Sequence, residues 1–345
     1  MRDVILQHIQ QLTGLSVNDI TLKERPRLTY QGSNLYDVRF GDTHWIAKQF
    51  LKEAEFTESP QREYDALNLV KSLDIAPQPI DYLPYPEYEK SVVLYEFMQG
   101  NMWDRRKPSS QELTQLAELW LQTYSLTRDD LWLSNLLAPS VRAKITQYRR
   151  NFAFYLEWAH EHFVEGVAHV QMLDALLEKR SYLAGQIDDS NTRWFFSRSD
   201  PRFANIIARP DGRIGLVDWE DSGLRNPLRT IADLLYHANQ EDLVSYDDWD
   251  AFLIPYFENY PKLDDHPQDV LHWYSGITPL AWLCSLLAMG VRKAHKGQLD
   301  NRWQVNTMPV NQRLRRYVAH TLSWEDKDFE GHLAQIADMR FFDLD

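Results

Sequence analysis

The sequence predicts an α+β protein of two lobes. One is a small β-rich lobe with one main helix over residues 1–100, the other a larger, mostly helical lobe over residues 101–345. Three observations carry this reading. Runs of β-branched and aromatic residues broken by turn tokens fill Arg27–Phe50, helical periodicity dominates beyond Ser110, and a single hairpin pattern interrupts it near residues 205–218. A length of 345 residues accommodates about two domains at ~100–200 residues each.

Element by element, Val4, Ile5, Ile9 and Leu12 form an N-terminal helical stripe. RLTYQ, LYDVRF and THWIAKQF read as strands, the last two joined by a Gly41-Asp42 turn. Ser59-Pro60 opens a helix to about Leu73, a serine cap followed by proline at the first helical position. Prolines 77, 79, 84 and 86 punctuate the route to a strand at Ser91–Phe97, which ends near Gly100. Residues 111–126, 142–163 and 170–187 are long and helix-periodic, and helices resume after the hairpin. Ile277–Val291 is the most apolar stretch. It is shorter than the ~20 residues a bilayer demands and carries Pro279, so a buried helix is expected.

Composition excludes several classes. Apolar residues make up 44% and charged residues 25%, which is globular usage. Fifty acidic against thirty-seven basic residues leave a net charge of −13, which repels phosphate backbones and excludes nucleic acid as main partner. Cys284 is the single cysteine, so no intramolecular disulfide framework or multi-cysteine zinc site exists. The first twelve residues lack the uninterrupted apolar core of a signal peptide, so a soluble, cytoplasmic protein without membrane attachment is expected.

The chemistry concentrates in Ser197–Asp221. Ile206 and Ile207 precede Pro210-Asp211-Gly212, and Ile214, Leu216 and Val217 follow it, which is hairpin grammar. A turn centred on Asp211-Gly212 makes Asn205 and Asp218 cross-strand partners, with Cα atoms ~4.5–5.5 Å apart. A three-residue turn bulged at Gly212 would break that register. An amide oxygen facing a carboxylate is a hard donor pair suited to magnesium. Asp200, in the loop before them, is placed to orient and deprotonate a hydroxyl. Singly, these residues have ordinary uses at turns and strand ends. Together, the spacing Asp-x4-Asn-x12-Asp is the stronger signal.

In the N-terminal lobe Glu63, Leu67 and Val70 are spaced i, i+4, i+7, which puts this carboxylate on the buried face of its helix. A buried carboxylate needs a cation, and Lys48 on the preceding strand can supply it. A first-turn glutamate at a helix dipole and a snorkelling lysine are the plainer alternative.

DPRFAN followed by IGLVDWE resembles the catalytic loop and metal-binding hairpin of the aminoglycoside phosphotransferase/choline kinase family, which has the protein-kinase-like fold. The resemblance runs over about residues 20–240. It implies a catalytic role for Asp200, magnesium ligation by Asn205 and Asp218, and phosphate contact by Lys48 with Glu63 as its ion-pair partner. It implies a phosphate-covering loop at Gly32, Ser33 and Asn34, and a hinge whose backbone at Glu96 and Met98 meets the adenine edge. Three positions depart from the family: Arg198 stands for the usual His, which braces the loop, and Ser199 for the usual Gly. Thr230 replaces an aspartate many members carry.

The resemblance therefore implies a small-molecule kinase that moves the γ-phosphoryl group of ATP, or GTP, to a hydroxyl with magnesium. The alternatives are a catalytically impaired nucleotide-binding regulator, for which Arg198 and Ser199 speak, and a protein-directed kinase. Glu241-Asp242, Asp247-Asp248-x-Asp250 and Asp264-Asp265 beside Trp249, Trp273, Tyr274 and Trp282 suit a cationic acceptor, with solvated acidic loops and core tryptophans as the plainer alternative. His160, His162 and His169 lack the i, i+4 spacing of a helical metal pair, and Arg105-Arg106-Lys107 reads as a solvated loop.

Overall fold

The computed structural model describes residues 2–26, 33–51, 59–84, 91–104, 106–127, 141–162, 164, 166–189, 194–245, 247–261, 266–305 and 308–343. The chain divides into two compact units. The first comprises Met1–Leu137, Phe195–Leu224 and Asp250–Asn259, the second Ala138–Trp194, Arg225–Trp249 and Tyr260–Asp345. These units do not follow a single cut near residue 100. The hairpin segment and the helix Asp250–Glu258 return to the first unit because they pack on its helix Ser110–Tyr124 and its β-structure.

In the first unit, strands β1 (Thr21–Glu24), β2 (Ser33–Phe40), β3 (Thr43–Phe50), β4 (Pro79–Leu83) and β5 (Val92–Glu96) form an antiparallel sheet in the order β1-β2-β3-β5-β4. β1 is an addition to the sequence reading; its text, TLKE, buries only Leu22 and so carries little apolar alternation. The strand expected at RLTYQ lies outside the described residues. Helix α1 (Arg2–Thr13) covers one face of the sheet, packing Ile5, Leu6 and Ile9 against Leu22, Tyr36, Val38, Ala47, Val92 and Leu94. Leu12, expected on the same stripe, is exposed.

Side chains alternate along a strand, so Ala47 faces α1 and Lys48 points to the opposite face. Helix α2 (Ser59–Val70) packs against β4 and β5 and ends in a 3-10 turn at Lys71–Leu73. Further along, β6 (Asn101–Met102) pairs with β7 (Ile206–Ala208), which pairs with β8 (Ile214–Leu216). Helix α3 (Ser110–Tyr124) begins with a capping box in which Ser109 and Glu112 satisfy each other's backbone. It lies on Asp250–Glu258 through an edge-on Trp120–Phe252 contact and a 2.9 Å hydrogen bond between the hydroxyls of Tyr124 and Tyr256.

The second unit is helical. Val141–Glu161, Val167–Asp189, Pro227–Tyr236, Val310–Leu322 and Lys327–Ala337 assemble with Pro267–His295 around a core that includes Tyr155, Trp158, Leu176, Leu283, Leu287 and Tyr317. The helix Pro267–His295 runs 29 residues, longer than its apolar stretch. It is long and apolar enough to cross a membrane, yet 83% of its most apolar window is buried inside the protein, as the expected buried helix requires. Cys284 sits in that core as a free thiol, its pKa pushed up by burial.

Candidate active site

Lys48 and Glu63 meet. Lys48 is 4% and Glu63 1% exposed, and the ammonium Nζ lies 2.8 Å from the Glu63 carboxylate. Leu67 and Val70 are buried on the same face of α2, as their spacing requires. The same ammonium lies 2.6 Å from Asp218 Oδ1 and 2.9 Å from Glu220 Oε2. Burial alone would drive this lysine to shed its proton, but Asp218, Glu220 and Glu63 outweigh it and hold its pKa well above the ordinary value. Burial pushes Glu63 up against the pull of Lys48, and pushes Glu220 up to about 8. Asp218 is held below its usual value because Lys48 and Arg202 overcome its desolvation.

The hairpin departs from the expected register. Its pairs are Ile206 with Leu216, Ile207 with Gly215 and Ala208 with Ile214. The turn is the three-residue form: Arg209 N–H donates to the Arg213 carbonyl, and Gly212 takes the left-handed conformation at φ +81°. The extra residue shifts every pair by one, so Asn205 faces Val217, whose N–H donates to the Asn205 carbonyl at 3.0 Å. Asn205 and Asp218 nevertheless approach, with Asn205 Nδ2 3.5 Å from Asp218 Oδ2. The cause is backbone conformation. Asn205 closes a 3-10 turn (Phe203–Asn205), and Asp218 is left-handed at φ +66°, which swings its carboxylate back across the strand end.

Asp200 joins them. Its φ is +56°, and its Oδ2 accepts from Asn205 Nδ2 at 3.0 Å. Among the described residues the only non-glycine positions with positive φ are Asp74, Asp200 and Asp218, so two of the three lie here. A left-handed residue with a side chain costs about 1–2 kcal/mol. Arg198 is 1% exposed, and its Nε donates to the Asp218 carbonyl at 3.0 Å, which braces that strained residue. Burial pulls its pKa down, opposed by Asp200 and Asp218. Ser199 Oγ donates to the Asp221 carbonyl at 2.8 Å and ties the two segments together.

Two members of the cluster carry no assignment in the sequence reading. Arg202 Nε lies 3.1 Å from Asp200 Oδ2, and its Nη2 lies 3.1 Å from Asp218 Oδ2. Glu220 shares Lys48 with Glu63 and Asp218, and donor oxygens of these three carboxylates lie within 4.8 Å of one another. Glu220 follows the strand Ile214–Leu216 in a turn, after the left-handed Asp218, so no periodic signal in the sequence places it beside Lys48.

The remaining expected site residues sit elsewhere. Ser33 and Asn34 belong to β2 rather than to a loop, paired with Phe50 and Gln49, and Gly32 lies outside the described residues. Their polar text hid a ladder position that β3 completes. Glu96 ends β5, where its N–H donates to the Gln78 carbonyl. Glu96 and Met98 line a cleft of about 310 Å³ with Pro77, Gln78 and Arg209, and no residue of the Lys48 cluster lines it.

In the second unit, the acidic and aromatic residues are largely occupied. Glu241 is buried with Arg313 and Arg316, Asp248 accepts from Ser245, and Trp282 Nε1 donates to Asp233 at 2.8 Å. Asp264 and Asp265 lie outside the described residues. Arg106 pairs with Glu112 and stacks over Trp103, while Arg105 is outside the described residues.

A lobe with a five-stranded antiparallel sheet, an ion-paired strand lysine and helix glutamate, and a hairpin carrying an acidic cluster together define a protein-kinase-like fold. Solved structures share it. The chain superposes on choline kinase LicA from Streptococcus pneumoniae with a TM-score of 0.60 and 17% identity, covering 94% of this chain and 99% of that one. Choline kinase from Cryptosporidium parvum gives 0.61 and 12%, with 97% and 99% covered. Spectinomycin phosphotransferase APH(9)-Ia, in complex with ADP and spectinomycin, gives 0.62 and 12%, with 97% of each chain covered. Neither a protein-family profile nor a curated protein matches the sequence.

Proposed function

We propose that the chain is a phosphotransferase that moves the γ-phosphoryl group of a nucleoside triphosphate to a hydroxyl of a small molecule. The observation that carries this reading is the convergence of Lys48, Glu63, Asp200, Asn205, Asp218 and Glu220 from four separate segments. Glu63 anchors Lys48, whose ammonium positions the phosphates of the donor. Asp200 orients the acceptor hydroxyl and takes its proton as the oxygen attacks phosphorus. Arg198 keeps Asp218 in its left-handed conformation, the bracing the family assigns to a histidine at that position.

The donor set fits a divalent cation. Asp200 and Asp218 are hard oxygen donors, and each is held by a protein cation, Arg202 or Lys48, where a metal cation would be attracted. Asn205 presents its amide nitrogen to carboxylates here; turned over, it presents its oxygen. Asn205 and Asp218 would hold magnesium, which supplies charge stabilisation to the transferring phosphoryl group.

Solved neighbours are named as choline kinases, an ethanolamine kinase and antibiotic phosphotransferases, which supports a small hydroxylated acceptor. ATP and GTP are both candidate donors. The test is ADP or GDP release with choline, ethanolamine, spectinomycin and a macrolide as acceptors, alongside thermal stabilisation by each nucleotide with and without magnesium. Magnesium-dependent stabilisation plus acceptor-dependent turnover that Asp200→Ala abolishes supports the reading. Full activity in Asp200→Ala refutes it. Nucleotide binding without turnover on a broad acceptor panel returns the regulatory alternative.

A further inference from the structure

Arg202 already occupies the place beside Asp218 and Asn205 where a divalent cation would be held. Arg202 Nε lies 3.1 Å from Asp200 Oδ2 as an ion pair without hydrogen-bond alignment, and Arg202 Nη2 donates to Asp218 Oδ2 at 3.1 Å. Asn205 Nδ2 addresses the same two atoms at 3.0 and 3.5 Å. The guanidinium thus spans one carboxylate oxygen from each aspartate, with the third expected site residue beside it. A fork of N–H donors and a compact divalent ion cannot occupy that position together.

We propose that Arg202 is an internal counter-ion that exchanges with the divalent cation. Without metal it neutralises Asp200 and Asp218 and fixes their separation, which two like charges on strained backbones would otherwise increase. When metal arrives, the guanidinium leaves the two oxygens and turns towards the anionic phosphoryl oxygens that accompany the metal. Arg202 suits this exchange better than Lys48. Its side chain is 33% exposed, whereas that of Lys48 is 4% exposed and also anchored by Glu63. Arg202 can therefore swing into solvent without unpacking the sheet. Its place between Asp200 and Asn205 keeps it within reach of the same oxygens after release.

This inference rests on the reading of Asn205 and Asp218 as metal ligands, and its test separates the two. Mn2+ binding to the nucleotide-free full chain is followed by the loss of the free-ion electron paramagnetic resonance signal. Arg202→Gln removes the charge with little change in length, and Arg202→Lys keeps the charge without the fork. Removing the competitor should tighten Mn2+ binding about tenfold in Arg202→Gln, equivalent to about 1.4 kcal/mol. Arg202→Lys should stay nearer the parent. If the parent chain binds Mn2+ and Arg202→Gln binds it equally or more weakly, the exchange is refuted while the metal site stands. If neither binds Mn2+, both fall. Circular dichroism of both variants establishes that they are folded, and the lysine variant keeps the comparison decisive if the glutamine variant is not.

Discussion

Replacing Lys48 by Met removes one cation from among three carboxylates, and the structure sets the scale of the damage. Donor oxygens of Glu63, Asp218 and Glu220 lie within 4.8 Å of one another. At an effective dielectric constant of about 20, two unit charges at that distance repel by about 3.5 kcal/mol. Three such pairs would exceed the whole stability of many domains, at about 5–15 kcal/mol. The carboxylates of the variant therefore cannot all stay charged, and protons replace the missing ammonium. Their folded-state pKa values then lie above the unfolded value, so stability is present at low pH and is lost as pH rises through the folded values. Urea unfolding of the nucleotide-free chain at pH 5, 6, 7 and 8 should show Lys48→Met close to the parent at pH 5. At pH 8 it should be weaker by about 3–5 kcal/mol, the usual cost of removing one partner of a buried ion pair. Adding Glu220→Gln to the variant removes one charge of three and should recover part of the loss at pH 8. A deficit independent of pH, or none at pH 8, would show that Lys48 does not neutralise this cluster.

Other perturbations follow from single contacts. Glu112 is held down to about 2 by its bidentate pairing with Arg106, helped by the Ser109 backbone. Its depressed pKa stabilises the fold above the unfolded value, so Glu112→Gln should cost about 1–3 kcal/mol at pH 7. The difference from the parent should shrink as pH falls from 4.5 towards 2, measured by urea unfolding at pH 7 and pH 3. Gly100 has φ +148°, and a Cβ there would lie 2.4 Å from the Ala208 carbonyl oxygen. Gly100→Ala should therefore destabilise by about 2–4 kcal/mol and lower the melting temperature, because a backbone atom cannot move aside as a side chain can. Arg313 is fully buried against Glu241, so Arg313→Met should cost about 3–5 kcal/mol, and pairing it with Glu241→Leu should restore most of the loss in a double-mutant cycle.

What the sequence disclosed depended on whether a residue's neighbours were fixed by local periodicity. Glu63 was legible because helical spacing with Leu67 and Val70 dictates its face, and Lys48 because a buried carboxylate needs a cation that the preceding strand can supply. The long helices followed from the same periodicity, and the burial of Ile277–Val291 from the length of its apolar run and its proline. The meeting of Asn205 with Asp218 was anticipated, but through a register the structure does not have. The three-residue turn at Gly212 moves the ladder by one, and the left-handed Asp218 restores the contact by another route. A φ value leaves no periodic trace. Arg202 escaped notice for a related reason: a long side chain on an irregular loop can point in many directions, and only the fold decides that it closes on Asp200 and Asp218. Glu241 and Arg313 are 72 residues apart, so no sequence window holds both.

The cost of this arrangement bears on whether it serves chemistry. Buried ion pairs are commonly no more stabilising than apolar residues of similar volume, and two aspartates in left-handed conformations cost about 1–2 kcal/mol each. Arg198 adds to the expense: it is buried, and its two terminal amino groups have no hydrogen-bond partner among the described residues. A chain selected for folding alone gains nothing by keeping Lys48, Glu63, Asp200, Asn205, Asp218 and Glu220 charged or polar in one place. Under the proposed function, nucleotide binding alone would use Lys48 with Asn205 and Asp218, whereas Asp200 at φ +56° on the same amide as Asp218 would have no part in it. Strain at Asp200 is therefore the feature on which the proposed catalytic role can be tested apart from nucleotide binding. Asp200→Gly relieves the backbone and Asp200→Asn keeps the shape without the base. If both variants bind nucleotide as the parent does, and Asp200→Gly is the more stable while both lose turnover, the strain is there to aim a carboxylate at a hydroxyl.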